Sequence, residues 1–280
     1  MQVLILGCGD IGTRAGLSLL DRGWRIAAAR RNPDRLPDQF NRLKVNLTDP
    51  ASFVALDTVV PDYVVVTPTP QSYDPPGYQA GFAGVAKTLA NQKWIAQCRR
   101  VIWVSSTRVY RESEGGWVDQ HSPLNHDEPQ ASAMIAGEAA IRRAATATII
   151  RPAGVYGDPE GILMRRVRAG EGGATGALYG NRIHREDLSR LIVHCLERDH
   201  AGEEVPPTLV GADHDQTPTH KIEDWLADQI AVTLIRPSDP SPSRANRRCR
   251  NSLLERIGFT LSYPTWREGY RAVLDASADK

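Results

Sequence analysis

Short apolar runs recur through the first half of the chain at residues 3–6, 25–29, 43–45, 63–67, 100–105 and 146–151, and stretches with helical spacing separate them. After the first run, Ile11, Ala15, Leu19 and Leu20 recur at the three-to-four-residue spacing of one helix face. Strands that alternate with helices fold as right-handed β-α-β crossovers, so the pattern predicts an α/β, doubly wound parallel sheet with helices on both faces. Between the last two runs lies a long loop, residues 111–127, carrying Gly115, Gly116, Pro123 and Asn125. Irregular loops of that length in a compact domain are usually functional or mobile.

Beyond residue 155 the alternation becomes irregular. Glycines stand at 170, 172, 173, 176 and 180, a helical pattern covers 185–198, and a Pro-rich passage covers 237–242. Residues 249–276 again have helical spacing, interrupted at Gly258 and Pro264. The expected division is a first domain at 1–157 and a reduced C-terminal lobe at 158–280, with the chain returning to the first domain and the whole forming one compact unit.

The first run leads directly into Gly7-Cys8-Gly9-Asp10-Ile11-Gly12, a G-x-G-x-x-G turn between a strand and a helix. In that context each glycine has a mechanical reason: Gly7 for the tight exit from the strand, Gly9 for close backbone approach to a pyrophosphate, Gly12 for helix–strand packing. The start of the helix, at Asp10 and Ile11, then faces the anion. The turn predicts a bound dinucleotide. The second run ends at Arg30 and Arg31, where a carboxylate would hold the ribose 2′-hydroxyl of NAD and an arginine accommodates a 2′-phosphate. Guanidinium groups make planar, charge-assisted bonds to phosphate oxygens, so NADP is the expected cofactor ahead of NAD.

Composition removes several alternatives. With 34 basic and 33 acidic residues among 280, the chain lacks the charge excess that a nucleic-acid or anionic-membrane partner calls for. The bias of 29 Arg over 5 Lys carries no functional weight alone. Cys8, Cys98, Cys195 and Cys249 form no C-x-x-C pair and read as reduced thiols. No stretch approaches the ~20 apolar residues needed to cross a bilayer, and the first residues lack the basic segment of a signal peptide. A cytoplasmic location is expected.

Further motifs follow in order: Asn46-Leu47-Thr48-Asp49, Ser105-Ser106-Thr107-Arg108-Val109-Tyr110, Arg151-Pro152-Ala153-Gly154-Val155-Tyr156-Gly157 and Ile183-His184-Arg185-Glu186-Asp187-Leu188. With the glycine turn, they make most of the chain resemble the extended short-chain dehydrogenase/reductases, the group that includes nucleotide-sugar epimerases and dehydratases. The resemblance implies that Ser106 hydrogen-bonds the substrate oxygen, that Tyr110 faces the pocket, and that Asn46 and Leu47 lie near the adenine. It places Pro152 and Val155 beside the nicotinamide, and Thr67, Pro68 and Ser105 against the cofactor as well. It also implies a homodimer through helices that here include residues 76–98 and 127–145.

One departure stands out. The family's Tyr-x-x-x-Lys pair falls on Gln130 and Met134, counted back from Glu138, and none of the eight tyrosines has a lysine four residues later. That pair works because an ammonium beside a phenol favours the phenolate and lets the phenol pass its proton. Gln and Met supply neither function. Substitutes near the loop are Tyr110, Arg108, His121, His126 and Asp127, with His184 on the second lobe. His184 and Asp187 stand three apart at a helix start, but Asp187 suits the exposed amides and dipole there and no further ligands cluster with the pair, whereas a closed metal site needs about four. Only 25 residues separate Gly157 from Ile183, and the diphosphate-clamping arginine of nucleotide-sugar enzymes falls on Gly180, with Arg182 nearby. The expected function is therefore an atypical NADP(H)-dependent oxidoreductase or epimerase-like enzyme acting on a small carbonyl or hydroxyl substrate. The competing reading is a non-catalytic NADP(H) sensor or scaffold.

Overall fold

In the computed structural model, residues 1–237 and 246–278 are described. Of the Pro-rich passage at 237–242, residues 238–242 lie outside the described residues. The chain divides into two compact units that interleave in sequence. The first comprises Met1–Val109, Leu124–Arg151 and Leu188–Leu209; the second comprises Tyr110–Pro123, Pro152–Asp187 and Val210–Lys280. Residues 152–157 fall in the second unit and residues 188–209 in the first.

The central sheet has seven strands. Its members are β1 (Gln2–Leu6), β2 (Arg25–Arg30), β3 (Asn41–Lys44), β4 (Tyr63–Val66), β5 (Arg100–Val104), β7 (Ala147–Pro152) and β10 (Thr208–Gly211), with β6 (Glu114–Val118) lying apart. The order β10-β7-β5-β4-β1-β2-β3 runs outward in both directions from β1, so the topological switch point falls between β1 and β4. Leu4 pairs in parallel with Ala27 on one side and Val64 on the other. Val3 to Leu6 and Tyr63 to Val66 are fully buried, as central strands covered on both faces must be.

Helix α1 (Asp10–Leu20) turns Gly12, Ala15, Gly16 and Leu19 inward. A Cβ on Gly12 would sit 2.9 Å from Ile5 Cγ2, and one on Gly16 would sit 2.7 Å from the Phe40 ring, so two small residues set how closely the helix approaches β1. The next helical segment runs as α2 (Pro75–Tyr78), a wider π turn at Gln79–Gly84, and α3 (Val85–Ala90). Asp74 starts it by accepting the amide of Gly77 at 2.9 Å. It packs against α4 (Pro129–Ala144), whose inner face carries Ala131, Ala133, Met134, Ile135, Gly137, Glu138 and Ile141.

Two expectations need correction. The third strand covers Asn41–Lys44 instead of 43–45. The long loop contains strand β6, which pairs in parallel with β11 (Asn246–Cys249). Its Glu-Gly-Gly-Trp-Val sequence shows no alternation, and its partner lies more than a hundred residues away, so nothing local announces it.

The second unit builds its own core from Tyr156, Met164, Val167, Ile222, Leu226, Trp266, Tyr270 and Val273. These come from strand β8 (Gly154–Tyr156), which pairs with β9 (Arg182–His184), and from helices α5 (Ile162–Arg168), α7 (Thr219–Gln229) and α9 (Trp266–Ala278). Helix α6 (Arg185–His200) covers the expected 185–198, and the last stretch is α8 (Ser252–Arg256) followed by α9.

Candidate dinucleotide-binding site

The site grows out of the end of β1. Gly7 leaves the strand at φ +76°, a left-handed conformation open to glycine, and its amide and that of Cys8 both donate to Ala29 O at 3.0 Å. A Cβ at Gly7 would meet Thr67 O at 2.6 Å. Thr67 completes the clasp by donating its hydroxyl to Gly7 O at 2.7 Å. At Gly9 the nearest atom to a would-be Cβ is 3.8 Å away, so that glycine leaves space open. Gly9 is also the N-cap of α1 and offers no capping side chain, which leaves the first-turn amides to a ligand.

A cavity of about 400 Å³ opens here. The turn contributes Gly7, Cys8 and Gly9; the end of β2 and the following turn contribute Arg30, Arg31, Asn32 and Arg35; Asn46, Leu47 and Thr48 follow β3, and Thr67, Thr69, Pro70 and Gln71 follow β4. Among the described residues no carboxylate lines it. Asn46 is held by its own turn: its amide donates to Ser52 Oγ at 3.1 Å, while its side-chain oxygen accepts from Thr48 Oγ1 at 3.1 Å. Asn32 caps the single turn Pro33–Arg35 by accepting the amide of Asp34 at 3.2 Å, which fixes where Arg35 leaves the backbone. Cys8 Sγ lies 3.6 Å from Thr13 Oγ1, and burial pushes the thiol up to about 11.

Seven of the sequence-derived cofactor residues thus line one cavity: Gly7, Gly9, Arg30, Arg31, Asn46, Leu47 and Thr67. Asp10, Ile11 and Gly12 form the helix start beside it, with Asp10 paired to Arg14 at 3.0 Å. Pro68 is buried and does not line it. Sequence reasoning missed Arg35, Asn32, Thr69, Pro70 and Gln71. A third arginine within five residues of Arg30 was the available signal for Arg35.

Ser105 belongs to a different arrangement. Its hydroxyl donates to Glu138 Oε1 at 2.6 Å, and Arg151 donates to the same carboxylate from Nε at 3.1 Å and from Nη2 at 2.6 Å. All three are buried. Ser106 is half-buried, and its Oγ accepts the amide of Arg108 at 3.1 Å. Gln130 is half-buried near the start of α4, whereas Met134 is 1 % exposed and packed in the core. His126 and Asp127 are exposed.

The remaining candidates lie in the second unit. Tyr110 is fully buried, His121 is exposed, Pro152 is buried, and Val155 is half-exposed on β8. His184 packs edge-on to Tyr156 and 3.9 Å from the Tyr263 ring. Asp187 accepts the amides of Ser262 at 2.7 Å and Tyr263 at 2.9 Å, a structural anchor. Among the described residues no group of three His, Cys, Asp or Glu side chains is arranged to hold a metal. Asp213 is the most perturbed carboxyl: burial pushes it up to about 8.

A glycine turn, an uncapped helix start and a cavity at the switch point together define a Rossmann-type dinucleotide-binding protein. The chain belongs to the NAD(P)H-binding family, whose model matches residues 7–199. A protein from Methylobacillus flagellatus, assigned provisionally as an NAD-dependent epimerase/dehydratase, is 26% identical with a TM-score of 0.82, covering 99% of this chain and 98% of its own. WbmG from Bordetella bronchiseptica, solved with NAD and UDP, is 15% identical with a TM-score of 0.81 over 99% of this chain and 94% of its own. MoeE5, solved with UDP-glucose and NAD, is 18% identical with a TM-score of 0.78 over 100% and 99%. No curated protein matches the chain. These likenesses agree with the resemblance to the extended short-chain dehydrogenase/reductases. No helix among the described residues is long and apolar enough to cross a membrane.

Proposed function

We propose that this chain is an NADP(H)-dependent oxidoreductase or epimerase-like enzyme acting on a small carbonyl or hydroxyl substrate. One observation carries the cofactor choice: Arg30, Arg31 and Arg35 line a single cavity, and among the described residues no carboxylate joins them. A carboxylate there would hold a ribose 2′-hydroxyl and repel a 2′-phosphate, whereas three guanidinium groups favour the phosphate. MoeE5 and WbmG were solved with NAD, so the preference separates this chain from them. Gly7, Gly9 and the start of α1 would hold the pyrophosphate, and Asn46 and Leu47 the adenine end. Bound there, the nicotinamide supplies two-electron chemistry at a substrate carbon. Ser106, held by the Arg108 amide, would orient the substrate oxygen. The short segment between Gly157 and Ile183 supports a substrate smaller than a nucleotide sugar. Four buried cysteines that form no disulfide fit a cytoplasmic location.

Fluorescence titration tests the cofactor assignment. NADPH is expected to bind at least about tenfold more tightly than NADH, because each desolvated charge-assisted bond contributes roughly 1.5–3 kcal/mol. Arg35→Ala is expected to narrow that gap as Arg30→Ala and Arg31→Ala do, with NADH affinity little changed. Equal affinities in the parent protein refute the assignment. The rival reading, a non-catalytic NADP(H) sensor, draws on Gln130 and the buried Met134 standing where a proton relay would be. A protein that binds NADPH and turns over nothing in a broad carbonyl and alcohol panel favours the sensor.

A further inference from the structure

With Gln130 and Met134 at the relay positions, a proton for the substrate oxygen has to come from another group. Beside Ser106, one residue gathers what such chemistry requires. The Arg108 amide donates to Ser106 Oγ at 3.1 Å, and its guanidinium reaches Glu128 from Nε at 3.2 Å and more closely from Nη2. From Nη1 the same guanidinium donates to the phenolic oxygen of Tyr78 at 3.4 Å, and it lies 5.0 Å from the centre of the Tyr78 ring. Both partners are fixed. Glu128 caps α4 by accepting the amide of Ala131 at 3.0 Å, and Tyr78 stacks on Phe82 with ring centres 5.6 Å apart. Arg108 therefore ties the Ser106 hydroxyl, by its backbone amide, and a phenol, by its cationic side chain, into one run.

Only one group in that run can release a proton usefully. An arginine stays charged in proteins, and the Glu128 hydrogen bond holds Arg108 above its ordinary value. The Glu128 carboxylate is an acceptor that Arg108 engages at both oxygens. The phenol remains. The Arg108 guanidinium that donates to it is a cation where a Tyr-x-x-x-Lys pair has an ammonium.

We propose that Tyr78 and Arg108 form the proton-relay couple of this chain, Tyr78 giving its phenolic proton to a substrate oxygen oriented by Ser106 and Arg108 supplying the compensating charge. The proposal rests on the oxidoreductase reading above. In carbonyl reduction, the substrate carbon takes a hydride from the reduced nicotinamide as its oxygen takes the Tyr78 proton, leaving an alcohol, oxidised cofactor and a phenolate. Water then returns a proton to Tyr78. Oxidation runs the same exchange backwards.

The test uses the whole protein, NADPH and a panel of small carbonyl compounds, with cofactor affinity measured separately by fluorescence. Tyr78→Phe keeps the ring and its packing, so it is expected to lower turnover by about 100-fold or more while NADPH affinity changes less than about twofold. Arg108→Met is expected to follow it, and Arg108→Lys to recover part of the loss. Independently of turnover, a crystal of the complex with NADP+ and an alcohol product is expected to place Tyr78 Oη within roughly 3.2 Å of the product oxygen. Parent-like turnover in Tyr78→Phe, or a product oxygen beyond reach of Tyr78, overturns the relay and leaves the oxidoreductase reading standing. A parent protein that binds NADPH and reduces nothing in the panel overturns both.

Discussion

Residues 7–12 and residues 130–138 are stretches of similar length in the first unit, and both align with spaced motifs of the resembled family. In the glycine turn the constraint is steric. Thr67 O stands 2.6 Å from where a Cβ of Gly7 would be, and Ile5 stands 2.9 Å from that of Gly12. Any side chain there is opposed by the fold itself. On α4 the constraint differs from position to position. Met134 faces the core, where an apolar side chain gains burial, whereas Glu138 faces Arg151, which would lose two hydrogen bonds and a buried countercharge with it. Steric closeness thus fixes the residue type at one stretch, and burial and charge pairing fix it at the other.

That contrast is sharpened first at Glu138. Glu138→Ala strips Arg151 of its carboxylate and Ser105 of its acceptor, and breaking such a buried pair costs about 3–5 kcal/mol. Urea denaturation is expected to show the loss, with NADPH affinity retained wherever the variant is folded. A loss under about 1 kcal/mol would mean the pair is not a structural element. A comparable effect is expected at Met134. Met134→Lys places an amine in the apolar cluster, and burying it there costs several kcal/mol. It is expected to restore no activity, because Gln130 still stands where the family's phenol would be. Gain of turnover in Met134→Lys would show that α4 still carries the chemistry and would erase the distinction.

How much of this was legible in the sequence follows the same division. The turn, six of the seven sheet strands and the doubly wound order could be read because each depends on short-range patterns that the fold enforces. Arg30 and Arg31 were legible because they stand at a fixed position after β2. Arg35 was not, since it reaches the cavity through a turn that Asn32 sets by a side-chain bond. Tyr78 was hidden for a stronger reason: it lies 30 residues from Arg108 and is joined to it only across the packing of two helical segments. At Ser105 the sequence leaves the partner of the hydroxyl open, and the fold brings Glu138 to it from 33 residues away. Chemistry assembled from distant side chains leaves no spacing to read.

The smallest effect expected is at Cys8, the one side chain between the two glycines that begin the turn. Burial is the main cause of its raised value of about 11, against an ordinary thiol at 9.0, with the Thr13 contact and the charge of Arg30 only partly opposing it. A folded value above the unfolded one means the fold favours the neutral thiol. That contribution is fully present below about pH 9 and is lost as pH climbs through about 11. Near neutral pH the thiol is protonated and a poor nucleophile. Iodoacetamide is therefore expected to label Cys8 no faster than global unfolding allows, alongside the equally buried Cys98, Cys195 and Cys249, and NADPH is expected to slow labelling only as far as it slows unfolding. A rapid one-thiol burst in the native protein, abolished by NADPH, would put a reactive thiolate in the cradle. The turn would then owe its chemistry to a side chain, as α4 no longer does, and the contrast between the two stretches would be reversed.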